Sequence, residues 1–133
     1  MIVSITRLHL RSARFLVPFI LYALRSTRQS KRSPGNVATD VWRDPHGGYW
    51  TRTVWADDAA LRAFMMSGAH RKAMPKLLDW CDAAALVRWE QESAALPSWE
   101  EAHHRLVTQG RPSKVRHPSA VHQSLDYPPP RQR

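Results

Sequence analysis

Residues 2–10, IVSITRLHL, alternate along the chain. Ile2, Ser4, Thr6 and Leu8 share one face of an extended segment, and Val3, Ile5, Arg7 and His9 share the other. That period of two predicts a strand. Ser12 is a fitting N-cap for a helix running to about Ser30, where Ser-Pro-Gly stops it. Pro18 falls in its second turn and predicts a bend or a late start. From residue 15 to 24 this helix is apolar nearly all round, so it is expected to be covered on more than one side. Residues 36–44 read as a second strand, PHGG as a turn and YWTRTVWA, 49–56, as the returning third strand. Asp57 and Asp58 open a helix at its positive end, with Leu61, Phe64 and Met65 at helical spacing. Ser67-Gly68 interrupts it, Ser67 can re-cap, and Pro75 suits the first turn of another short helix. ALVRWEQ, 85–91, reads as a fourth strand. Ser98 and Glu101 then form a capping-box pattern at the start of a last amphipathic helix. From Arg111 the chain is rich in proline and needs a surface to lie on, with Tyr127 as its one aromatic anchor.

The order β-α-β-β-α-β predicts an α+β, ferredoxin-like antiparallel sheet with helices on one face, followed by a C-terminal helix and an extended tail. Residues 1–95 form the expected domain, and 96–133 the helix and basic arm. Bulky groups fall on both faces of the strands, including Trp42, Trp50, Trp55 and Trp89. Helices on one face leave the other wet, which predicts a homodimer built sheet to sheet, with the arm lying over its own subunit or its partner.

The stretch TVWADDAALRAFMMSGAHRKAM, residues 53–74, resembles the dimeric α/β-barrel superfamily that includes antibiotic-biosynthesis-type monooxygenases. The matching pieces are Trp55, Asp57, Asp58, Phe64, Ser67 and His70, and the resemblance spans about residues 1–92. It implies the same fold and a function among cofactor-free oxygenases, haem-binding or haem-degrading proteins, and members without a reaction. The haem-degrading branch carries an Asn on the first strand and a Trp and a His on the second main helix. The matching positions here hold Thr6, Phe64 and Met74, which argues against haem degradation.

Charge changes the picture little. The net charge is +9, concentrated in Arg7, Arg11, Arg14, Arg25, Arg28, Lys31 and Arg32, with no acid before Asp40. A second group is Arg111, Lys114, Arg116, Arg131 and Arg133. No zinc-finger spacing, RNP-like motif or helix-turn-helix accompanies them, so no specific nucleic acid is expected as partner. Cys81 is the single cysteine and permits no intrachain disulfide. The apolar run Phe15–Leu24 is half the roughly 20 residues of a spanning helix, so no transmembrane segment and a cytoplasmic location are expected. Attachment of this basic, apolar helix to a membrane surface stays open.

His70 reads either as a helix-start histidine that hydrogen-bonds a backbone carbonyl and packs against Trp55, or as the residue that carries the chemistry. Its ordinary pKa suits a general base, and as a haem ligand it needs an apolar slot, which Phe15, Phe19, Met65 and Met74 can supply. Met74 lies one helical turn beyond His70, so the two share a face. Ser67, Gly68 and Ala69 clear space before it. The expected pocket, between helices and sheet, is walled by Thr6, Phe15, Phe19, Phe64, His70 and Met74, with His70 as proton acceptor or haem ligand. Its expected ligand is a hydrophobic aromatic or conjugated small molecule. The protein is then a small monooxygenase-like protein, with no cofactor or with haem, or a non-catalytic dimeric protein that holds haem or another hydrophobic ligand or docks on a larger partner through its basic helix and tail. His103 and His104 point about 100° apart on a helix, and the other histidines show no metal-ligand spacing, so no metal is expected. Arg7, Arg52 and Arg88 sit in strands, where a charge needs a partner; Asp40 is one candidate, an anionic ligand another.

Overall fold

The computed structural model describes residues 1–125, 127 and 128. It contains β1 (Ile2–Leu10), a 3-10 turn (Ala13–Phe15), α1 (Leu16–Arg32), β2 (Asn36–Arg43) and β3 (Gly48–Trp55). α2 (Asp58–Met65), α3 (Gly68–Trp80), β4 (Cys81–Glu90), α4 (Trp99–Gln109), β5 (Arg111–Pro112) and α5 (Ala120–Ser124) follow. The strands form one antiparallel sheet in the order β2-β3-β1-β4-β5. This is the ferredoxin-like arrangement with a short fifth strand added. β1 is central: Ile2 pairs with Trp55 and Glu90, and Leu8 with Tyr49 and Ala84. Among the described residues no helix is long and apolar enough to cross a membrane.

Local chemistry sets most boundaries. Asp57 caps α2 by accepting from the Ala60 N–H at 2.8 Å, and Ser98 caps α4 by accepting from the Glu101 N–H at 3.1 Å. α1 has the late start that Pro18 requires: the 3-10 turn comes first, and Pro18 falls in the opening turn, where its missing N–H has no intrahelical partner anyway. Three boundaries differ from expectation. β4 begins at Cys81 rather than Ala85, because pairing with β1 and burial of Ala83, Ala84 and Ala85 outweigh the poor strand propensity of small residues. Pro75 lies inside α3, not at a first turn. The carbonyl it leaves without a donor is that of Arg71, an exposed residue. Ser67 makes no side-chain cap bond to α3; its Oγ donates instead to the Ala63 carbonyl at 2.9 Å.

α1 and α3 pack together, and with α2 they cover the face that carries Ser4, Thr53 and Trp55. The opposite face carries Val3, Ile5, Trp50, Val54, Ala83, Ala85 and Val87, all buried. The expectation of a second copy on this face rested on its being open, and it is not. α4 lays Ala102 and Leu106, both fully buried, onto it. Trp99 reaches Trp42 at 5.5 Å and Trp50 at 6.4 Å. The chain beyond runs along the edge of β4, with the backbone N–H groups of Ser113 and Ser119 donating to the carbonyls of Ala84 and Asp82. Tyr127 returns to the core, 3% exposed, with its carbonyl accepting from His103 Nε2 at 2.8 Å. Arg131 and Arg133 of the expected basic arm lie outside the described residues.

Charges on this face are paired. Arg52 donates to Asp40 at 2.6 and 3.1 Å and to the Pro97 carbonyl at 2.6 Å. Arg7, 4% exposed, is paired with Asp44 and lies 4.5 Å from the Tyr127 ring centroid. Asp44 also accepts from Trp50 Nε1 at 2.7 Å and from the backbone of His46 and Gly48 at 2.8 Å each. Burial raises its pKa, but these hydrogen bonds and Arg7 outweigh burial and hold it below the ordinary carboxylate value.

Candidate functional site

His70 sits in the first turn of α3, where α2 ends. Its ring packs on Phe64 at 4.6 Å, and Phe64 stacks on Trp55 at 5.1 Å. Its Nδ1 lies 3.4 Å from the Met65 carbonyl. Gln29, on α1, organises this junction. Its Nε2 donates to the Ser67 carbonyl at 2.7 Å, and its Oε1 accepts from the His70 N–H at 2.9 Å. Gln29 thus supplies the N-terminal cap of α3 that Ser67 does not. Gly68 has a positive φ of 60°, and a Cβ there would meet the Gln29 amide at 2.9 Å. The space cleared by Gly68 is therefore occupied by Gln29 rather than left for a ligand.

Beneath α2 the sheet presents two buried donors without acceptors, Trp55 Nε1 and Arg88 Nε. They share one face of the sheet, since Trp55 pairs with Ile2 and Arg88 with Ser4. The Arg88 Nη2 meets the Met65 Sδ at 2.9 Å, a weak acceptor. Burial works against the Arg88 charge and lowers its pKa; Arg111 and Arg62 lower it further, and Asp58 opposes them. Asp58 is itself paired with Arg62 at 2.6 Å. The neighbourhood is therefore cationic. Burial likewise lowers the His70 pKa, with Arg88 adding to it against a hydrogen bond to Met65 that raises it. His70 is a neutral imidazole at pH 7, with Nε2 available as an acceptor. A cleft of about 350 Å³ opens beside this cluster, lined by Ser33, Gly35, Asp57, Ala60, Phe64 and Ser67 among others. Phe64 belongs to both.

The other residues expected to wall the pocket are dispersed. Phe19 is buried against Tyr49 at 4.7 Å, and Phe15 stacks on Trp80 at 6.3 Å. Tyr49 and Trp55 are six residues apart on β3, so the Phe19 and Phe64 ends lie roughly 20 Å apart. Thr6 sits between them, opposite Thr51 and Leu86. Met74 is 43% exposed, on the outer side of α3. The helical spacing that aligned it with His70 does not carry it inward, because the first turn of α3 is turned toward Gln29 and Phe64. Only Phe64 and His70 of the six come together. The same dispersion answers the question of haem: Phe15, Phe19 and Met74 form no slot beside His70, so these residues do not fit the group. Among the described residues no cluster of three or more His, Cys, Asp or Glu is placed to hold a metal ion.

Gln29 was not legible as a site residue, and Trp55 was legible only as part of the family resemblance. An unpaired arginine in a strand was the one signal available, and it pointed to Arg88 together with Arg7 and Arg52, which the fold pairs.

Among solved structures, a candidate antibiotic biosynthesis monooxygenase from Nitrosomonas europaea is 16% identical over 70% of this chain and 100% of its own, with a TM-score of 0.62. SnoaB, a cofactor-independent oxygenase from Streptomyces nogalater, is 17% identical over 69% and 93%, with a TM-score of 0.57. Rv0793 from Mycobacterium tuberculosis is 12% identical over 69% and 94%, with a TM-score of 0.62. At these identities the likeness establishes the fold, which is that of the antibiotic-biosynthesis-monooxygenase type. No functionally curated protein matches the chain in sequence. Residues 25–113 match the model of a domain of unknown function, DUF3291, and that span, two thirds of the chain and reaching from α1 to β5, makes the protein a member of the DUF3291 family.

Proposed function

We propose that this protein is a small monooxygenase-like protein acting on a hydrophobic aromatic or conjugated molecule that carries an ionisable oxygen. The observation that carries the reading is two buried donors without acceptors on one face of the sheet, Trp55 Nε1 and Arg88 Nε, with Phe64 packed between Trp55 and a neutral His70. A buried donor without a partner costs about 1–3 kcal/mol, and an acceptor oxygen on a ligand removes that cost. The ligand's ring lies along Phe64 and Trp55, entering from the adjoining cleft as the Phe64 ring turns aside. His70 Nε2 takes the hydroxyl proton, and Arg88 and Trp55 hold the oxyanion that results. In this reading dioxygen is the oxidant, as befits a fold shared with a cofactor-independent oxygenase. All of these groups come from one protomer, so the site does not depend on a second copy.

Binding without turnover is the alternative, favoured by the close packing of Phe64 between Trp55 and His70. Oxygen uptake over a panel of phenols and naphthols separates the two. Turnover that falls by roughly 10²–10⁴-fold in His70→Asn, with folding intact, supports catalysis by this residue. Naphthol binding without oxygen uptake by the wild type supports the binding protein. Turnover unchanged in His70→Asn removes His70 from the chemistry.

A further inference from the structure

α1 carries apolar side chains on two sides: one packs inward, with Phe19 on Tyr49 at 4.7 Å and Tyr22 on Trp80 at 5.8 Å, and the other is left open. Its inward side in the second half is polar: Gln29 bonds to Ser67 and His70, and Ser30, 2% exposed, bonds to Thr39 and Asn36. Its remaining large aliphatic side chains face out. Val17 is 71% exposed, Leu21 50% and Leu24 61%, with Ile20 at 37%. Residues 17, 20, 21 and 24 follow the i, i+3, i+4, i+7 spacing and form one solvent-facing stripe.

The charge around this stripe has one sign. α1 contains no acid, and Arg25, Arg28, Lys31 and Arg32 are all exposed. At 100° per residue Arg28 continues the line of the stripe, while Arg25 and Arg32 lie along one flank. α3, packed beside α1, adds Lys72 and Lys76, the latter over the Tyr22 ring at 5.5 Å.

We propose that α1 is an interfacial helix that seats this protein on an anionic lipid surface. The stripe enters the headgroup–acyl boundary, and the surrounding guanidinium and ammonium groups meet lipid phosphates and carboxylates. Charge decides between this occupant and a second copy of the chain. A two-fold contact through α1 sets the same cations against one another with no acid on either helix to pair them. A nucleic acid satisfies the cations but leaves four aliphatic side chains against a phosphate backbone. The outer side of the ten-residue apolar run is thus neither core nor membrane span; it lies in the plane of the surface.

Vesicle co-sedimentation of the full chain tests this, with vesicles of phosphatidylcholine alone and with about one-third phosphatidylserine. Preferential sedimentation with the phosphatidylserine vesicles is expected. Val17→Ser, Leu21→Ser and Leu24→Ser combined, all at exposed positions and so compatible with folding, weaken it about a hundredfold. Arg28→Glu with Arg32→Glu weakens it by on the order of fivefold for each charge lost, or more. Several results overturn the proposal. They are no sedimentation, equal sedimentation with both vesicle types, a triple-serine variant that binds like wild type, or a wild-type dimer that the triple variant converts to monomer. The last assigns the stripe to a second copy. An RNA oligonucleotide that binds wild type and triple variant equally, without vesicle binding, assigns the cations to nucleic acid and also overturns it.

Discussion

Replacing Asp44 by asparagine keeps the side-chain shape and removes one acceptor oxygen and the negative charge. Asp44 holds four donors: the His46 and Gly48 backbone N–H groups on Oδ1, and Trp50 Nε1 and Arg7 Nε on Oδ2. If the asparagine oxygen keeps the two backbone bonds, its amide NH₂ faces Trp50 and Arg7, donor against donor. Arg7 is 4% exposed and then has no carboxylate partner. Breaking a buried ion pair from one side costs about 3–5 kcal/mol. For a domain of this size that is a large part of total stability, and it corresponds to a fall in Tm of roughly 10–20 °C. Urea unfolding followed by tryptophan fluorescence measures it, with the denaturant slope expected to hold. Arg7→Met on the Asp44→Asn background removes the stranded charge, so the double variant loses less than the sum of the singles. The pH dependence has a definite sign. A carboxylate whose folded pKa lies below its unfolded value of 3.8 adds stability above that value and loses it as pH falls through the folded pKa. Asp44→Asn therefore flattens the acid limb of the stability curve below pH 3.8. A cost under about 1 kcal/mol, strict additivity with Arg7→Met, or an unchanged acid limb would refute this account of the cluster.

Leu106→Ala removes a fully buried side chain of α4 and costs about 2–5 kcal/mol, read by the same urea unfolding, with no change in solution mass; a change in mass assigns this face to a subunit contact. His70 has its folded pKa below the ordinary 6.5, so the folded state resists its protonation. Stability is then constant above about pH 6.5 and falls as pH drops below it toward the folded pKa, and an NMR titration of the His70 ring has its midpoint below 6.5. Burial pushes the Cys81 thiol up to about 12, with Asp82 adding to it, so a thiol reagent labels the unfolded chain and spares the native one at pH 8.

Strand alternation and cap residues carry their own local physics. β1, the β2–β3 hairpin, the helix start at Asp57-Asp58, the Ser98 cap and Asp40 as a partner for a strand arginine were therefore legible before any coordinates. What covers a sheet face is a long-range matter. The tryptophans pointed to a covered second face without saying that α4, from the same chain, provides the cover. α1 misled for the same reason. Its apolar composition reads as core all round, whereas only one side, with Phe19 and Tyr22, packs inward, and Ser30 and Gln29 complete the inward contacts through hydrogen bonds that no hydrophobic period reveals. At the site, Phe64 and His70 were both expected to wall a pocket, on either side of the break at Ser67-Gly68, and the fold brings their rings together. The Trp55 and Arg88 donors are defined by the absence of an acceptor, which only the packed structure exposes. Met74 failed because one helical turn fixes a shared face but not which way that face points.

The central claim is that Trp55 and Arg88 wait for an oxygen on an aromatic ligand. It is tested most directly by an NMR titration that follows the Trp55 indole N–H and the Arg88 Nε–H while naphthol or naphthalene is added to the full chain. Both ligands are expected to shift Phe64, and naphthol alone to move the two donor protons downfield as they gain an acceptor, with Arg88→Met losing the preference for naphthol. Donor protons that do not respond to naphthol, or that respond equally to naphthalene, contradict the account.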